Sequence, residues 1–308
     1  MRVAIIGTGG VGGFLGALLA RAGHDVRFLA RGAHLAAIRE RGLELRSKQF
    51  GDFTVTAPAS DEPAQIGPAD LALLAVKMYD FEAGAQAVAT ALAPDGLALT
   101  IQNGLDAPYL LATQIGAGRV LAGTAAIEAA VLEPGVVGHL VPLHQLTVSE
   151  LEGDPMPRLE ELLAQLRAAD VNASIQPSAF DALWTKAVML IPFATATTAA
   201  NCGLGALMAS DEARALVRAL SDEALAVAQA SGARLSERVL SFERMAEAMT
   251  PKTPAFTSSM NRDFAAGKPL ELEWLTAKLT RLADEHRVPA PAHKALEAVI
   301  RARQAARP

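Results

Sequence analysis

Six residues near the start of the chain have the spacing of a phosphate-binding loop. Gly7-Thr8-Gly9-Gly10-Val11-Gly12 fits the pattern G-x-G-x-x-G, directly after an apolar run and directly before a helical stretch. In such a loop Gly7 makes the tight turn, Gly9 lets a pyrophosphate approach the backbone, and Gly12 lets the helix lie close to the strand. The first N–H groups of the helix favour an anion. A glycine turn without a ligand is the alternative, which the strand, the spacing and the chain position together disfavour.

The end of the second apolar run indicates which dinucleotide the loop would take. Val26–Leu29 is followed by Ala30-Arg31, whereas Asp25 lies before the run. A site selective for NAD usually has Asp or Glu at this end to hold the ribose 2′-hydroxyl. Arg31 offers a fork of donors that suits a 2′-phosphate. The position favours NADP over NAD, and an ordinary exposed arginine is the alternative.

Lysine is rare in this chain, so a lysine inside an apolar segment needs an explanation. Seven of the 28 basic residues are Lys. Lys186 lies in a helical stretch that is otherwise apolar, where burying it is costly unless it is paired or deprotonated. An ammonium group there can donate a proton to a carbonyl oxygen and stabilise the developing alkoxide. From the residues alone, a lysine that snorkels at the edge of the helix is the favoured alternative.

Lys77 and Asn103 each follow an apolar run, Leu71–Val76 and Leu97–Ile101. The carboxyl ends of parallel strands meet at one edge of a sheet, where α/β proteins bind ligands. Lys77 can bind an anionic group there, and Asn103 can hydrogen-bond cofactor and substrate. The alternatives are a solvated charge at a strand end and an Asn-Gly turn.

The order of apolar runs predicts an α/β domain followed by a helical domain. The runs of the first part alternate with helical stretches, which is typical of a parallel sheet, and Leu43–Arg46 and Phe53–Ala57 resemble an appended hairpin. Short antiparallel strands are predicted after Gly123, and nearly everything after residue 178 reads as helix. The predicted helices are 10–22, 79–92, 104–116, 158–169, 179–200, 210–231, 235–248, 255–266, 270–287 and 291–304. The predicted domains are 1–176 and 177–308, with a ligand cleft between them.

Composition excludes several classes of protein. The chain has 308 residues, a net charge of −5 and a single cysteine, Cys202. A broad basic surface for nucleic acid, a disulfide framework and a multi-cysteine metal site are therefore not expected. The histidines show no metal-ligand spacing, so no metal is predicted. The longest apolar runs are far shorter than the roughly 18–20 residues of a membrane span, and the N-terminal run is too short for a signal peptide, so we expect a cytoplasmic protein.

Several motifs, taken in order and spacing, resemble the ketopantoate reductase (2-dehydropantoate 2-reductase) family along essentially the whole chain. They are the Gly7–Gly12 loop, Lys77 in Leu73–Lys77, Asn103 in Gln102-Asn103-Gly104, Trp184-Thr185-Lys186, Asn201-Cys202, Ser258-Ser259-Met260, and Glu271 in Leu270-Glu271-Leu272. The resemblance implies a Rossmann-type domain followed by an all-helical domain, with the active site in the cleft between them. It also implies NADPH-dependent reduction of a 2-oxo acid to a 2-hydroxy acid and a place in pantothenate biosynthesis. A homodimer through the helical domain is a further expectation.

The resemblance assigns roles to individual residues. It makes Lys186 the catalytic acid, and it places Glu271 near this lysine and the nicotinamide ribose. Glu271 also lies near a predicted helix N-terminus, where the helix dipole alone would favour a carboxylate, and Glu273 is expected to be solvated. The expected cofactor contacts are Gly7, Thr8, Gly9, Gly10, Val11, Gly12, Arg31, Lys77, Asn103, Ala129 and Glu271. The expected substrate contacts are Asn103, Lys186, Leu190, Ala194, Phe256 and Ser259, although Ser259 would also suit a helix N-cap.

The chain departs from the family pattern where substrate contacts are expected. Relatives that act on ketopantoate have asparagines at the positions of Leu190 and Ala194, one and two helical turns after Lys186, and at Phe256 and about Leu204. Because residues at i, i+4 and i+8 lie roughly on one face, Leu190 and Ala194 should point toward the same pocket as Lys186. Losing these polar groups removes discrimination for a hydroxylated substrate. We therefore predict a more apolar 2-oxo acid, branched or aromatic.

Two further functions remain open on the sequence alone. The missing asparagines are compatible with an NADP-binding sensor or regulator that lacks turnover, whereas the retained Lys186 and Glu271 argue against it. A reductase of an imine or a hydroxyacyl compound keeps the same class of enzyme with another substrate. Turnover of 2-oxo acids separates these functions.

Overall fold

The computed structural model of the chain describes residues 1–151, 157–237 and 239–307. Its contacts divide the chain into two compact units. The first unit comprises Met1–Gln102 and Asp106–Ala182, and the second comprises Asn103–Leu105 and Leu183–Pro308. The first unit thus ends at Ala182, inside a helix, and the second unit continues from Leu183. The sequence predicts the domain boundary at residue 176.

The first unit is built on one sheet. Its strands are β1 Arg2–Ile6, β2 Asp25–Leu29, β3 Leu43–Ser47, β4 Phe53–Val55, β5 Ala59–Ser60, β6 Ala69–Leu74, β7 Leu92–Thr100, β8 Val120–Glu133, β9 Val136–Glu150 and β10 Asn172–Ile175. Its helices are α1 Gly10–Arg21, α2 Gly32–Arg41, α3 Phe81–Ala91, α4 Ala107–Ile115 and α5 Pro157–Ala168.

The strand order is β4-β3-β9-β8-β7-β6-β1-β2-β5, and β10 pairs with β9. Strands β8, β7, β6, β1, β2 and β5 are parallel neighbours, which confirms the parallel sheet predicted from the apolar runs. The predicted hairpin is confirmed as the antiparallel pair β3 and β4. Strands β8 and β9 form a long antiparallel pair.

The centre of this sheet is covered on both faces. In β1 the residues Val3–Ile6 are all buried, as expected of a strand with helices packed on either side. Helix α1 lies close to the sheet because it is rich in Gly and Ala: a Cβ at Gly16 would overlap the ring of Phe28 in β2. Close packing of α1 fixes where its N-terminus meets the end of β1.

The described part of the second unit contains helices and turns and no strand, as predicted. Its α-helices are α6 Ala179–Ala200, α7 Leu204–Leu207, α8 Asp211–Ala230, α9 Phe242–Met249, α10 Ser259–Ala265, α11 Thr276–Glu285 and α12 Pro291–Ala305. Short 3-10 turns complete the chain, among them Leu272–Trp274. Within the described residues, no helix has the length and apolar character needed to cross a membrane.

Helix α6, which carries Lys186, spans 22 residues at the predicted bounds. The Asp181 amide donates to Ser178 Oγ at 3.1 Å, so the serine hydroxyl satisfies an amide at the start of the helix. Trp184, Val188 and Ile191 are fully or almost fully buried in the core of the second unit. Pro192 lies inside the helix, which continues on both sides of it.

Several parts of the fold differ from the sequence prediction. The short helix α7 is not predicted, and the helices predicted over 255–266 and 270–287 begin only at Ser259 and Thr276. Helix α2 over Gly32–Arg41 is not predicted, because its stretch is weakly apolar and begins with a glycine. The predicted helix over 235–248 begins only at Phe242, where Ser241 Oγ accepts the Arg244 amide and caps it. Residue 238 of the predicted helix lies outside the described residues.

A buried hydrogen-bonded pair, Glu223 and His293, joins α8 to the start of α12. The Glu223 carboxylate accepts the amides of Ala292 (2.8 Å) and His293 (3.0 Å), and it lies 2.7 Å from His293 Nδ1. Burial acts to raise the pKa of Glu223, but these hydrogen bonds together lower it. Burial lowers the pKa of His293, and Nε2 has no partner among the described residues. The neutral imidazole is therefore the stable form, because protonation would leave a buried N–H unsatisfied.

We predict that replacing His293 changes how stability depends on pH. In the folded chain the pKa of His293 lies below its ordinary value of 6.5. As the pH falls below 6.5, the unfolded chain binds a proton that the folded chain does not, and the free energy of unfolding decreases by up to about 1.4 kcal/mol per pH unit. Chemical denaturation between neutral and mildly acidic pH measures the slope of the free energy of unfolding against pH. This slope should be smaller for His293→Asn than for the unaltered chain. The variant of the exposed His286, His286→Asn, should keep the original slope, and an equal slope in His293→Asn would contradict the assignment.

Candidate active site

The glycine loop connects β1 to α1 through close backbone contacts. Gly7 has a φ of +96°, and a Cβ there would lie 2.8 Å from the backbone nitrogen of Val76. A Cβ at Gly12 would overlap the carbonyl oxygen of Gly7. At Gly9, in contrast, a Cβ would meet no protein atom within 4 Å. The loop is thus packed tightly on the side of Gly7 and Gly12 and open at Gly9, as a phosphate-binding loop requires.

Two other loop residues contact the sheet. Thr8 is buried, and both its amide (3.2 Å) and its hydroxyl (2.9 Å) donate to the Leu29 carbonyl at the end of β2. A Cβ at Gly10 would overlap the carbonyl of Ala129 in β8. These contacts fix the loop between β2 and β8. Val11 is half-buried in the first turn of α1.

The predicted edge residues follow a single row of the sheet. The residues in register across the four parallel strands are Leu29, Ile6, Leu74 and Thr100. Arg31 lies two residues beyond this row, Gly7 one residue, and Lys77 and Asn103 three residues each. In the first unit the glycine loop, Arg31 and Lys77 therefore leave the sheet at one edge, where ligands bind to open α/β sheets.

Arg31 forms an ion pair with a residue that the sequence did not single out. Its guanidinium lies 4.0 Å from the carboxylate of Asp80, in the turn after β6. Both side chains are exposed, at 71% for Arg31 and 48% for Asp80. An exposed pair at this distance contributes little to stability. Arg31 is therefore accessible to an anionic ligand.

Lys186 and Asn103 meet within the second unit. Lys186 Nζ donates to Asn103 Oδ1 at 2.8 Å, and both residues are half-buried. The hydrogen bond joins residues 83 positions apart in the chain. It fixes the ammonium group on an apolar helix, so Lys186 is not a freely moving surface lysine.

The backbone after Asn103 packs against the turn that follows Glu271. Gly104 has a φ of +97°, and a Cβ there would lie 2.8 Å from the carbonyl oxygen of Trp274. The Trp274 amide in turn donates to the Glu271 carbonyl at 3.2 Å. Glu271 is almost fully buried, with 4% of its surface exposed. Gly104 thereby ties the segment that carries Asn103 to the turn that carries Glu271.

The expected substrate contacts differ in their surroundings. Leu190 is half-buried on α6, whereas Ala194 is 1% exposed and belongs to the core of the second unit. The ring of Phe256 stacks on that of Phe193, with centroids 5.4 Å apart. Ser259 is half-buried in the first turn of α10; the residue that caps this helix is its neighbour Ser258.

Other polar residues have ordinary roles. Glu273 is about half exposed and pairs with Arg301 (2.7 Å) and Arg281 (3.4 Å), in contrast to the buried Glu271. Burial raises the pKa of the Cys202 thiol, which suits a packing residue better than a nucleophile. Within the part of the chain that the structure describes, no group of three or more His, Cys, Asp or Glu could hold a metal ion.

Sequence reasoning missed Asp80 and Gly104 as site residues. Nothing in the sequence signals the pair between Arg31 and Asp80, because it depends on the spatial order of β2, β1 and β6. The Asn-Gly dipeptide did signal the positive φ at Gly104, since glycine is favoured there. It did not show that the same glycine touches Trp274.

A glycine loop after the first strand of a parallel sheet, with cationic side chains at the same edge, defines a dinucleotide-binding protein of the Rossmann class. The family described as Ketopantoate reductase PanE/ApbA matches residues 3–153, and its C-terminal part matches residues 179–304. The chain belongs to the ketopantoate reductase family.

Individual relatives match over almost the whole length. A 2-dehydropantoate 2-reductase of Halobacterium salinarum is 31% identical over 307 residues, which cover 99% of each protein. The crystal structure of a PanE/ApbA family ketopantoate reductase from Ralstonia eutropha JMP134 has a TM-score of 0.90 at 31% identity and covers 99% of both chains. A structure of D-mandelate dehydrogenase with NADH and anilino(oxo)acetate has a TM-score of 0.89 and 99% coverage of both chains. At 18% identity, that likeness shows the fold alone.

We predict that Gly9→Ala separates ligand binding from stability. The new methyl group meets no protein atom within 4 Å, so the free energy of unfolding should change by less than about 0.5 kcal/mol. The same methyl group occupies the space that a pyrophosphate needs, so affinity for NADPH and NADH should fall at least about tenfold. Fluorescence titration and urea unfolding measure the two effects.

The matched control for this variant is Gly118→Ala, whose new methyl group also meets no atom within 4 Å. It should change neither stability nor dinucleotide affinity. Unchanged affinity in Gly9→Ala would show that the open side of the loop is not the phosphate site.

Proposed function

We propose that the chain reduces a 2-oxo acid to a 2-hydroxy acid with NADPH, and that Lys186 is the proton donor. Membership of the ketopantoate reductase family makes the chain an oxidoreductase that acts on a CH–OH group. The observation that carries the proposal is the hydrogen bond of 2.8 Å that fixes the Lys186 ammonium group on an apolar helix. A proton donor must be held at a defined position, and this bond supplies that position.

The first unit has the features that a nicotinamide dinucleotide needs. The space at Gly9 and the helix N-terminus beside it suit the pyrophosphate, and the accessible guanidinium of Arg31 suits a 2′-phosphate. We propose residues 1–176 as the NADP-binding domain and residues 177–308 as the catalytic and substrate domain. The proposed cofactor contacts are Gly7, Thr8, Gly9, Gly10, Val11, Gly12, Arg31, Lys77, Asn103, Ala129 and Glu271. Thr8 would contribute by holding the loop, because its amide and hydroxyl already bond to Leu29.

In the second unit, Lys186 would supply the proton and Asn103 would orient the ligand. When bound, the reduced nicotinamide supplies a hydride to the carbonyl carbon of the substrate. Lys186 Nζ gives a proton to the carbonyl oxygen, and its positive charge stabilises the alkoxide as it forms. Asn103 accepts from Lys186 through Oδ1, which leaves its amide N–H groups to orient a ligand. Lys186 then regains a proton from water, so one hydride and one proton are consumed for each 2-hydroxy acid formed.

We predict that Lys186→Ala loses turnover and keeps cofactor affinity. Removing the donor and its charge should lower kcat by about 10²–10⁴-fold, whereas the dissociation constant for NADPH should change less than about twofold, because the dinucleotide loop lies in the other unit. NADPH absorbance gives the rate, and fluorescence titration gives the affinity.

A matched control is Lys294→Ala, which removes an exposed lysine of the same unit that pairs with Asp284. This variant should retain both rate and affinity. A kcat of Lys186→Ala near that of the unaltered chain would rule out Lys186 as the acid.

The side chains around the proposed substrate site favour an apolar 2-oxo acid. Leu190 is the half-buried residue one turn after Lys186, and Phe256 stacks on Phe193 instead of presenting an amide. Apolar groups cannot satisfy a substrate hydroxyl, so they remove the preference for a hydroxylated acid. Of the predicted contacts, Asn103 and Ser259 remain to bind the polar end of the substrate. The small side chain of the buried Ala194 would contribute by leaving space for the substrate.

We predict that a panel of 2-oxo acids gives higher kcat/KM for phenylpyruvate and for branched acids such as 2-oxoisovalerate than for 2-dehydropantoate. Leu190→Asn should shift this ratio toward 2-dehydropantoate, because it restores a hydrogen-bonding group one turn from Lys186. A clear preference of the unaltered chain for 2-dehydropantoate would contradict the apolar substrate and would point to pantothenate biosynthesis. Lack of oxidation of NADPH with every acid would support a sensor instead. The homodimer and the cytoplasmic location stay predictions.

A further inference from the structure

We propose that Asp80 limits the preference of the chain for NADPH over NADH, by competing with the 2′-phosphate for Arg31. This inference rests on the proposed NADP site. It makes Asp80, which lies outside both the glycine loop and the end of β2, a residue that sets cofactor specificity.

The topology of the sheet brings Asp80 to this position. Strands β2 and β6 flank β1 on opposite sides, so their ends lie roughly 10 Å apart. Arg31 follows β2 and Asp80 follows β6, yet their charged groups approach to 4.0 Å. The pair therefore spans the end of β1, where the glycine loop begins. A dinucleotide that extends from this loop toward Arg31 meets the carboxylate as well as the guanidinium.

The charges at this edge explain the competition. A 2′-phosphate carries up to two negative charges and binds an arginine through parallel N–H bonds. The Asp80 carboxylate uses the same guanidinium as its partner and repels the phosphate at short range. A ribose that bears only hydroxyl groups feels no such repulsion, so the carboxylate acts on NADPH and not on NADH.

Removing the charge of Asp80 should disturb the fold little. Asp80 precedes α3, but its side chain makes no capping hydrogen bond to that helix. The side chain is about half exposed, so Asn fits without repacking. Asp80→Asn therefore removes the charge and keeps the shape.

The experiment compares the dissociation constants of NADPH and NADH for the intact chain, measured by fluorescence titration without substrate. Asp80→Asn should bind NADPH about three- to tenfold more tightly at low salt and should change NADH affinity less than about twofold. The gain should shrink at high salt, because screening weakens the repulsion between exposed charges. The matched control is Asp25→Asn, which removes the same charge from an exposed pair with Arg27 at the opposite end of β2 and should leave both constants unchanged.

Arg31→Ala distinguishes failure of this inference from failure of the proposed cofactor. If Arg31→Ala weakens NADPH selectively while Asp80→Asn binds both dinucleotides as the unaltered chain does, Asp80 has no role and the NADP site stands. If Arg31→Ala binds NADPH and NADH as the unaltered chain does, the proposed NADP site is wrong, and the role of Asp80 falls with it. If Asp25→Asn binds NADPH more tightly by the same factor, the change in net charge alone explains the effect, and the inference is overturned.

Discussion

Both units depend on contacts between backbone segments that lie too close together for a Cβ to fit between them. In the first unit, Gly12 lies against the Gly7 carbonyl and fixes α1 at the end of β1. In the second unit, Gly104 lies against the Trp274 carbonyl and holds the segment of Asn103 beside the turn of Glu271. These contacts involve main-chain atoms, so they cannot relax by the rotation of a flexible side chain. The glycine loop and the segment that carries Asn103 are thus both positioned by backbone packing.

The polar groups of the two units differ in how firmly they are held. The hydrogen bond that Lys186 donates to Asn103 holds its ammonium group in one position, and Glu271 is almost fully buried. Arg31, in contrast, is exposed and pairs only loosely with Asp80. This difference suits their proposed tasks, because proton donation needs defined geometry, whereas a cation that captures a phosphate can close on it after encounter.

The sequence predicted the parts of the fold that repeat a strong pattern. Apolar runs separated by helices predicted the parallel strands, and α6 has the predicted bounds, because its long apolar stretch agrees with its burial. Helix α2 was missed because its sequence has weak amphipathic character. Spacing and family resemblance named Lys186 and Asn103 as candidates, and the structure brings them together. The pair of Arg31 with Asp80 could not be predicted, because it follows from strand order rather than from any local motif.

The contact between Gly104 and Trp274 also bears on how this family can diversify. The proposed catalytic residues depend on a main-chain contact that tolerates almost no side chain, whereas the proposed substrate positions Leu190 and Phe256 are side chains that can be exchanged for others of similar size. Mutations at the proposed substrate positions therefore need not disturb the proposed proton donor. Such a division lets single substitutions change the specificity of the proposed site while the proposed proton donor keeps its position.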